Sequence, residues 1–192
     1  MAYKIAFIGS RKLKESSYPQ DYQIFYNLAL LAATNGVIMR SGGAEGADLC
    51  AETAYFEASK ENPEVLKLVE IFVPWRSFNA SNPLHKHYSK SLPGVEEEEC
   101  LLTVMNESHY LNLSNGAALL HLRNCKEILG DNLDSPVDVV ICFTVNRKVV
   151  GGTATGIKLA INSGIPVYNI YGATEEEVRF LEAMIRRMKG TE

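Results

Sequence analysis

Three short runs of small and polar residues have the composition of phosphate-binding turns. They read Gly9-Ser10-Arg11, Ser41-Gly42-Gly43-Ala44 and Gly151-Gly152-Thr153, and each follows an apolar stretch and precedes a helical pattern. Glycine lets backbone N–H groups come close to an anion, and the start of a helix adds a partial positive charge. A single turn of this kind is common between a strand and a helix, but three on one edge of a sheet predict a phosphate-binding site.

The elements that must position these runs alternate between strand and helix. Apolar runs predict strands at 4–8, 37–39, 69–73, 137–143 and 165–170. Helical spacing predicts helices at 22–33, 44–59, 96–105, 115–129 and from about 151 to 161, with a last helix opened by a Thr174/Glu177 capping box. This alternation predicts a Rossmann-like, doubly wound and mostly parallel α/β sheet flanked by helices, with ligands at the carboxyl ends of its strands.

Length and composition place limits on the protein class. The 192 residues, 46% of them hydrophobic, predict a single domain over 1–192, with an irregular excursion at about 74–95. A net charge of −4 gives no general attraction to nucleic acid or an anionic membrane. The four scattered cysteines are typical of reduced core residues, and no apolar stretch is long enough to span a bilayer. We therefore expect a cytoplasmic protein with no membrane partner.

The glycine-rich runs and their neighbours resemble the SLOG superfamily, which includes the DprA/Smf-like DNA-processing proteins and the LOG-like nucleotide hydrolases. The resemblance extends over nearly the whole chain. It is carried by the three runs above and by Gly46-Ala47-Asp48, Pro74-Trp75, Arg123-Asn124 and Ile165-Pro166-Val167-Tyr168-Asn169. It implies that the second run and the turn at 151–155 hold phosphate and that a helical arginine and asparagine reach into the same pocket, whereas Ser10 and Arg11 fit either ligand contacts or a loop cap. The expected ligand-binding residues are Gly9, Ser10, Arg11, Ser41, Gly42, Gly43, Ala44, Arg123, Asn124, Gly151, Gly152, Thr153 and Thr155.

A LOG-like N-glycosidase activity is one alternative that the resemblance raises. The signature GGxGTxxE of those enzymes aligns with 151–158, where Ala154 replaces the third glycine and Lys158 replaces the catalytic glutamate. Such a mechanism then requires another carboxylate, for which Glu45 and Asp48 are the candidates. Asp48 also fits a simple ion pair with Arg11 or Arg40.

Binding of single-stranded DNA, as in the DprA-like proteins, is the second alternative. Single-strand binders combine basic grooves with aromatic platforms. Trp75 and Phe78 are candidates for base stacking, and they equally fit anchors of the loop against the core. Other residues of this segment that suit the hypothesis are Arg76, Lys86, Tyr88 and Lys90.

Several charged residues have a plain interpretation beside the functional one. Arg123 fits a solvated helix face as well as a phosphate ligand, and the run Glu96 to Glu99 predicts a solvated first helical turn. His85 and His87 are spaced as a metal pair, but no nearby carboxylate or cysteine completes a ligand set, so neither a metal nor another cofactor is expected.

The interpretation we favour from the sequence is a protein that binds or senses a nucleotide or an ADP-ribose-like ligand. Whether it is also an enzyme stays open because of Lys158. A homo-oligomer is expected, with the apolar helix around 119–122 as the candidate interface.

Overall fold

The computed structural model describes residues 2–82, 85, 90, 92–94 and 96–189. Its centre is a five-stranded sheet. The strands are β1 (Lys4–Gly9), β2 (Ile38–Ser41), β3 (Val69–Ile71), β4 (Val139–Phe143) and β5 (Val167–Asn169). They are all parallel, in the order β3-β2-β1-β4-β5. The order reverses between β1 and β4, so the prediction of a Rossmann-like, doubly wound sheet is confirmed.

Helices cover both faces of the sheet. They are α1 (Pro19–Thr34), α2 (Ala47–Ser59), α3 (Glu96–Leu102), α4 (Glu107–Leu111), α5 (Asn115–Leu129), α6 (Gly152–Asn162) and α7 (Glu175–Arg187). Short 3₁₀ turns occupy Pro63–Leu68 and Val145–Arg147. No helix in the described part of the chain has the length and apolar character needed to cross a membrane.

The core forms two apolar layers because successive residues of a strand point to opposite faces. Ile5 and Phe7 of β1 belong to the layer that contains Phe25 of α1 and other side chains of α2 and α7. Ala6 and Ile8 belong to the layer formed with α3, α5 and α6. All five residues of β4 are buried, as a strand covered on both faces requires.

The observed elements differ from the predicted ones mainly at their ends. α1 begins at Pro19, a residue suited to a first helical turn, and α2 begins at Ala47, which leaves 44–46 as an open turn. β3 ends at Ile71, although Phe72 still donates its N–H to the Ser41 carbonyl at 2.8 Å. The predicted excursion at 74–95 lies partly outside the described residues.

Helix α3 shows that one prediction about charge was wrong. Glu97 was expected on a solvated face, but it is buried, and its carboxylate lies 3.1 Å from Lys126 Nζ on α5. It also accepts the Gly94 N–H at 2.5 Å. The four cysteines are free thiols, and Cys100 is the one that is not fully buried.

The predicted capping box at the start of α7 is confirmed. Thr174 Oγ1 accepts the Glu177 N–H at 3.2 Å, and the Glu177 carboxylate accepts the Thr174 N–H at 2.8 Å. Thr174→Ala is expected to lower the free energy of unfolding by about 1 kcal/mol, because a cap of this kind contributes that much. Urea denaturation measures the change. Thr53→Ala, on the exposed middle of α2, is the control and should be neutral or stabilising.

Candidate functional site

A cavity of about 530 Å³ opens at the carboxyl ends of β1 and β4, where the strand order reverses. Its wall includes the end of β1 and the turn after it, residues 8–12, most of the segment 144–153 after β4, and one side of α5. This is the position at which open parallel sheets of this type bind ligands. Two of the three predicted glycine-rich turns therefore meet in one cavity.

The turn that opens α6 is the most accessible of the three. A Cβ added at Gly151 or at Gly152 would meet no atom of the described residues within 4 Å. Gly151 has a φ of 69°, in the left-handed region that favours glycine. Asn124 of α5 fixes the turn from behind by donating Nδ2–H to the Gly152 carbonyl at 2.9 Å. The first N–H groups of a helix have no intrahelical acceptor, so this turn presents donors beside the cavity.

The turn after β1 supplies the basic rim. Ser10 donates its N–H to the Phe143 carbonyl at 2.8 Å, which ties the turn to β4. The Ser10 hydroxyl accepts the Lys12 N–H at 3.2 Å, so it caps the loop and also lines the cavity. Arg11 and Lys12 are exposed at the cavity wall together with Lys148 from the turn after β4. The rim therefore carries positive charge although the whole chain is acidic.

The turn after β2 lies beneath the site rather than in its wall. Ser41 is fully buried, and its hydroxyl donates to Glu52 Oε1 at 2.5 Å and accepts the Gly43 N–H at 3.2 Å. A Cβ at Gly42 would lie 1.0 Å from Arg123 Nη1, so the guanidinium occupies that space. Of this predicted turn, Ala44 alone is among the described residues that line the cavity.

Arg123 is the centre of a buried ionic cluster. Its Nη1 lies 3.1 Å from Glu127 Oε1 and 3.6 Å from Asp48 Oδ2, and all three side chains are at least nine-tenths buried. The hypothesis of a solvated helix-face arginine was therefore wrong. The partner of Asp48 is Arg123, whereas Arg40 pairs with Glu70 at 2.7 Å. Asp48, Arg123 and Glu127 all line the cavity.

The two carboxyl groups of this cluster hold protons more tightly than usual. Burial raises the pKa of Asp48 to about 6, against the opposing effect of the Arg123 charge, and the Glu52 carboxylate raises it further. Burial raises the pKa of Glu127 to about 8, again opposed by Arg123 and reinforced by Asp48 and Glu52.

Glu52 organises a second buried network behind the cavity. It accepts hydrogen bonds from Ser41 Oγ and from Asn82 Nδ2, the latter at 2.8 Å, and it lies 2.9 Å from His85 Nε2. Burial lowers the pKa of His85, but the hydrogen bond and the charge of Glu52, with the Phe78 carbonyl and the Asp48 charge, together raise it above its usual value. His85 is thus engaged with a carboxylate, and His87 lies outside the described residues. No group of three or more potential metal ligands occurs among the residues that the structure describes.

The remaining predicted site residues lie apart from the cavity wall. Thr155 is buried, and its hydroxyl is 2.8 Å from His121 Nδ1, a residue that lines the cavity. Glu45 is exposed and lies 3.6 Å from Lys14 Nζ. The rings of Trp75 and Phe78 contact each other edge to face at 5.2 Å, and Phe78 packs against the core. Tyr88 and Lys86 lie outside the described residues.

Glu127, Glu52 and His121 are among the site residues that the sequence interpretation missed, as are Lys12 and Lys148 at the rim. A signal existed for two of them. Glu127 stands four residues after Arg123 and Glu52 four residues after Asp48, spacings that place each pair on one helix face. The spacing of these residues does not indicate that the helix faces on which they lie are buried.

Comparison with solved structures adds to the fold assignment. No protein-family model matches the sequence, and no curated protein does. DNA processing protein A (DprA) from Streptococcus pneumoniae superposes with a TM-score of 0.56 at 16% identity, over 99% of this chain and 58% of that chain. DprA from Helicobacter pylori, described for its binding of single-stranded DNA, gives a TM-score of 0.48 at 21% identity, over 87% of this chain and 64% of that chain. This chain thus spans less than two thirds of either protein.

Sheet order and cavity position define a Rossmann-like α/β protein with its candidate site at the switch point. Within that class, the fold is similar to that of DprA from Streptococcus pneumoniae, in agreement with the fold that the sequence resemblance implied.

Proposed function

We propose that this protein binds or senses a nucleotide or a nucleotide-derived ligand such as ADP-ribose, with a phosphate held by the turn that opens α6. The observation that carries the proposal is the open space above Gly151 and Gly152 at the N-terminus of that helix. Backbone donors and the helix dipole both favour an anion there.

The distribution of charge supports the same orientation of the ligand. Arg11, Lys12 and Lys148 place cations at the rim, where a phosphate gains from them. Asp48 and Glu127 place buried carboxyl groups in another part of the lining, and Arg123 there is already paired with both, so a phosphate gains less from that side. A ligand with a phosphate at one end and an uncharged polar group at the other therefore matches the cavity.

Gly152→Asp is the sharpest test of the phosphate position. The added side chain enters open space at the start of α6, so folding is expected to be unaffected. Its carboxylate would stand beside the phosphate and is expected to weaken binding about 100-fold, given Coulomb repulsion at a few ångströms. Calorimetric titration with ribose 5-phosphate, AMP and ADP-ribose measures the effect.

Gly152→Asn is the matched control, because it has nearly the same shape without the charge. It should retain most of the affinity of the unaltered protein. Equal losses in the two variants would show that bulk and not charge matters at this turn. Absence of binding of all three ligands to the unaltered protein would contradict the proposal itself.

An N-glycosidase activity at the same site is the enzymatic version of this proposal. Of the two carboxylates considered from the sequence, Asp48 lines the cavity, whereas the Glu45 side chain is exposed beside Lys14. Chromatography of the AMP titration mixtures detects released adenine. Release that is lost in Asp48→Asn would support the enzyme, and binding without release would support a sensor.

Single-stranded DNA is a second candidate ligand, favoured by the exposed cations at the rim of the cavity. Contacts with several phosphates make affinity fall steeply with salt concentration. A steep salt dependence of oligonucleotide affinity would support this candidate, and a weak, salt-insensitive signal would contradict it. The single domain over 1–192 and the homo-oligomer remain proposals, and sedimentation analysis tests the second.

A further inference from the structure

His121 of α5 is a titratable residue of the cavity wall that the proposed phosphate contacts do not include. It lines the cavity together with Gly151, Gly152 and Thr153, and it is partly exposed, so a ligand can reach it. Its Nδ1 lies 2.8 Å from the Thr155 hydroxyl of α6. Within the described part of the chain, the other ring nitrogen, Nε2, has no hydrogen-bond partner. The imidazole is thus held at one nitrogen, and the other can bind a ligand.

The turn that opens α6 lies close to this imidazole. Asn124, which fixes the turn through the Gly152 carbonyl, follows His121 by three residues, so both side chains lie on one face of α5. Thr155 follows Gly152 by the same interval on α6, and side chains at this spacing are about 5–6 Å apart. His121 therefore lies within about one helical turn of the anion proposed at the start of α6.

The neighbouring positive charges oppose protonation of the ring. Burial lowers the pKa of His121, and the charges of His109 on α4 and Arg123 on α5 lower it further. From α6, the group that contacts the ring is the neutral hydroxyl of Thr155. The other charged residues of the cavity wall are Arg11, Lys12 and Lys148 at the rim, and Asp48 and Glu127 beside Arg123. An imidazole in these surroundings gains a proton most readily when an anion binds next to it.

We propose that His121 binds the phosphate of the ligand through Nε2 and takes up a proton from the solvent as it does so, with Thr155 orienting the ring through Nδ1. A hydroxyl group donates to an unprotonated ring nitrogen and accepts from a protonated one, so the Thr155 contact persists in both states. A protonated Nε2 donates a charge-assisted hydrogen bond to a phosphate oxygen. This inference rests on the proposed function, because it assumes an anion at the α6 turn.

A nuclear magnetic resonance titration of the imidazole C–H signals tests the inference on the unaltered protein. ADP-ribose is the probe, because both of its phosphates are esterified and lack the second proton that a phosphate monoester loses near pH 6. Saturation with ADP-ribose is expected to raise the pKa of His121 by about one pH unit, which corresponds to about 10-fold tighter binding at low pH than at high pH. His109, exposed on α4, is the internal control and should change less.

His121→Asn tests the same contact by affinity. Asparagine lacks a counterpart of Nε2 but keeps a polar atom near the position of Nδ1, so it can still contact Thr155. Its loss of ADP-ribose affinity should be about 10-fold at pH 5.5 and less than about threefold at pH 8. The carboxyl groups of Asp48 and Glu127 titrate in the same range, because burial raises their pKa values to about 6 and about 8, so the two proteins are compared at each pH. His109→Asn is the matched control and should keep its affinity.

The outcomes separate this inference from the proposed function. An unchanged pKa of His121 at saturation, or an equal loss of affinity in His121→Asn at both pH values, overturns the proton-linked contact and leaves the phosphate site intact. Failure of ADP-ribose, AMP and ribose 5-phosphate to bind contradicts the proposed function instead. If AMP binds and ADP-ribose does not, the same titrations use AMP, and the comparison with His121→Asn cancels the ionisation of its phosphate. Because the His121 signal is observed in the unaltered protein, a variant that fails to fold does not block the test.

Discussion

Replacing Arg123 with methionine is expected to lower the free energy of unfolding by about 3–5 kcal/mol at pH 8 and by clearly less at pH 5. The guanidinium lies between Asp48 and Glu127, both almost fully buried. Without it, the two carboxyl groups lose the charge that lowers their pKa values, so at pH 8 each must either take up a proton on folding or stay ionised in the interior with no adjacent cation. At pH 5 they can remain protonated, because burial has raised the pKa of Asp48 to about 6 and that of Glu127 to about 8.

The sign of the pH effect follows from these raised pKa values. A carboxyl group that binds its proton more tightly in the folded state stabilises folding at low pH and loses that contribution as pH rises through the folded pKa. The window for this protein therefore extends from about pH 4, near the ordinary pKa values of 3.8 and 4.5, to about pH 8. Removal of Arg123 should make the free energy of unfolding fall more steeply with rising pH across this range.

Urea denaturation at pH 5, 6.5 and 8 measures the prediction. Arg179→Met is the control, since Arg179 pairs with Glu175 at 3.4 Å on the surface and should cost less than about 1 kcal/mol at every pH. A loss of stability in Arg123→Met that does not vary with pH would mean that packing, and not charge, is what Arg123 supplies.

Replacing Gly46 with alanine is expected to lower the free energy of unfolding by about 2–4 kcal/mol, the sum of backbone strain and steric overlap. Gly46 has a φ of 83°, and an added Cβ would lie 2.4 Å from the Ser10 carbonyl oxygen. Ala47 donates its N–H to that same oxygen at 3.3 Å, so the turns after β1 and β2 are in direct contact. If the proposed function holds, their separation also weakens nucleotide binding, because Ser10 and Arg11 line the cavity.

Gly172→Ala separates the cost of backbone strain from the cost of steric overlap. Gly172 has a φ of 57°, yet an added Cβ would meet nothing within 4 Å among the described residues, so its cost is backbone strain alone, about 1 kcal/mol. Thermal and urea denaturation of the two variants give the difference. Similar losses in both would show that the close approach of the two turns contributes little.

Local patterns in the sequence predicted the features that depend on neighbouring residues. The continuous apolar run of β4 predicted a strand covered on both faces, and the Thr174 capping box predicted the start of α7. The glycine-rich turns predicted the edge of the sheet at which the cavity lies. Each of these signals comes from strand periodicity, helix capping or backbone freedom, which act within a few residues.

The buried charges could not be predicted in the same way. An arginine or glutamate on a helix is solvated in most proteins, and only the packing of α5 against the turn after β2 buries Arg123 and Glu127. The same reasoning applies to Glu97, which is buried because Lys126 lies opposite it on another helix. Such contacts join segments far apart in the chain, so no local pattern indicates them.

A side chain at position 42 would overlap Arg123, and this steric restriction has an evolutionary consequence. The Arg123 guanidinium occupies the space that a side chain at position 42 would need, and Gly42 is not in the left-handed backbone region. The glycine is therefore required by a side chain from another helix rather than by its own turn. Across related sequences, we expect the two positions to change together: a larger residue at 42 should accompany a shorter one at 123, and arginine at 123 should accompany glycine at 42.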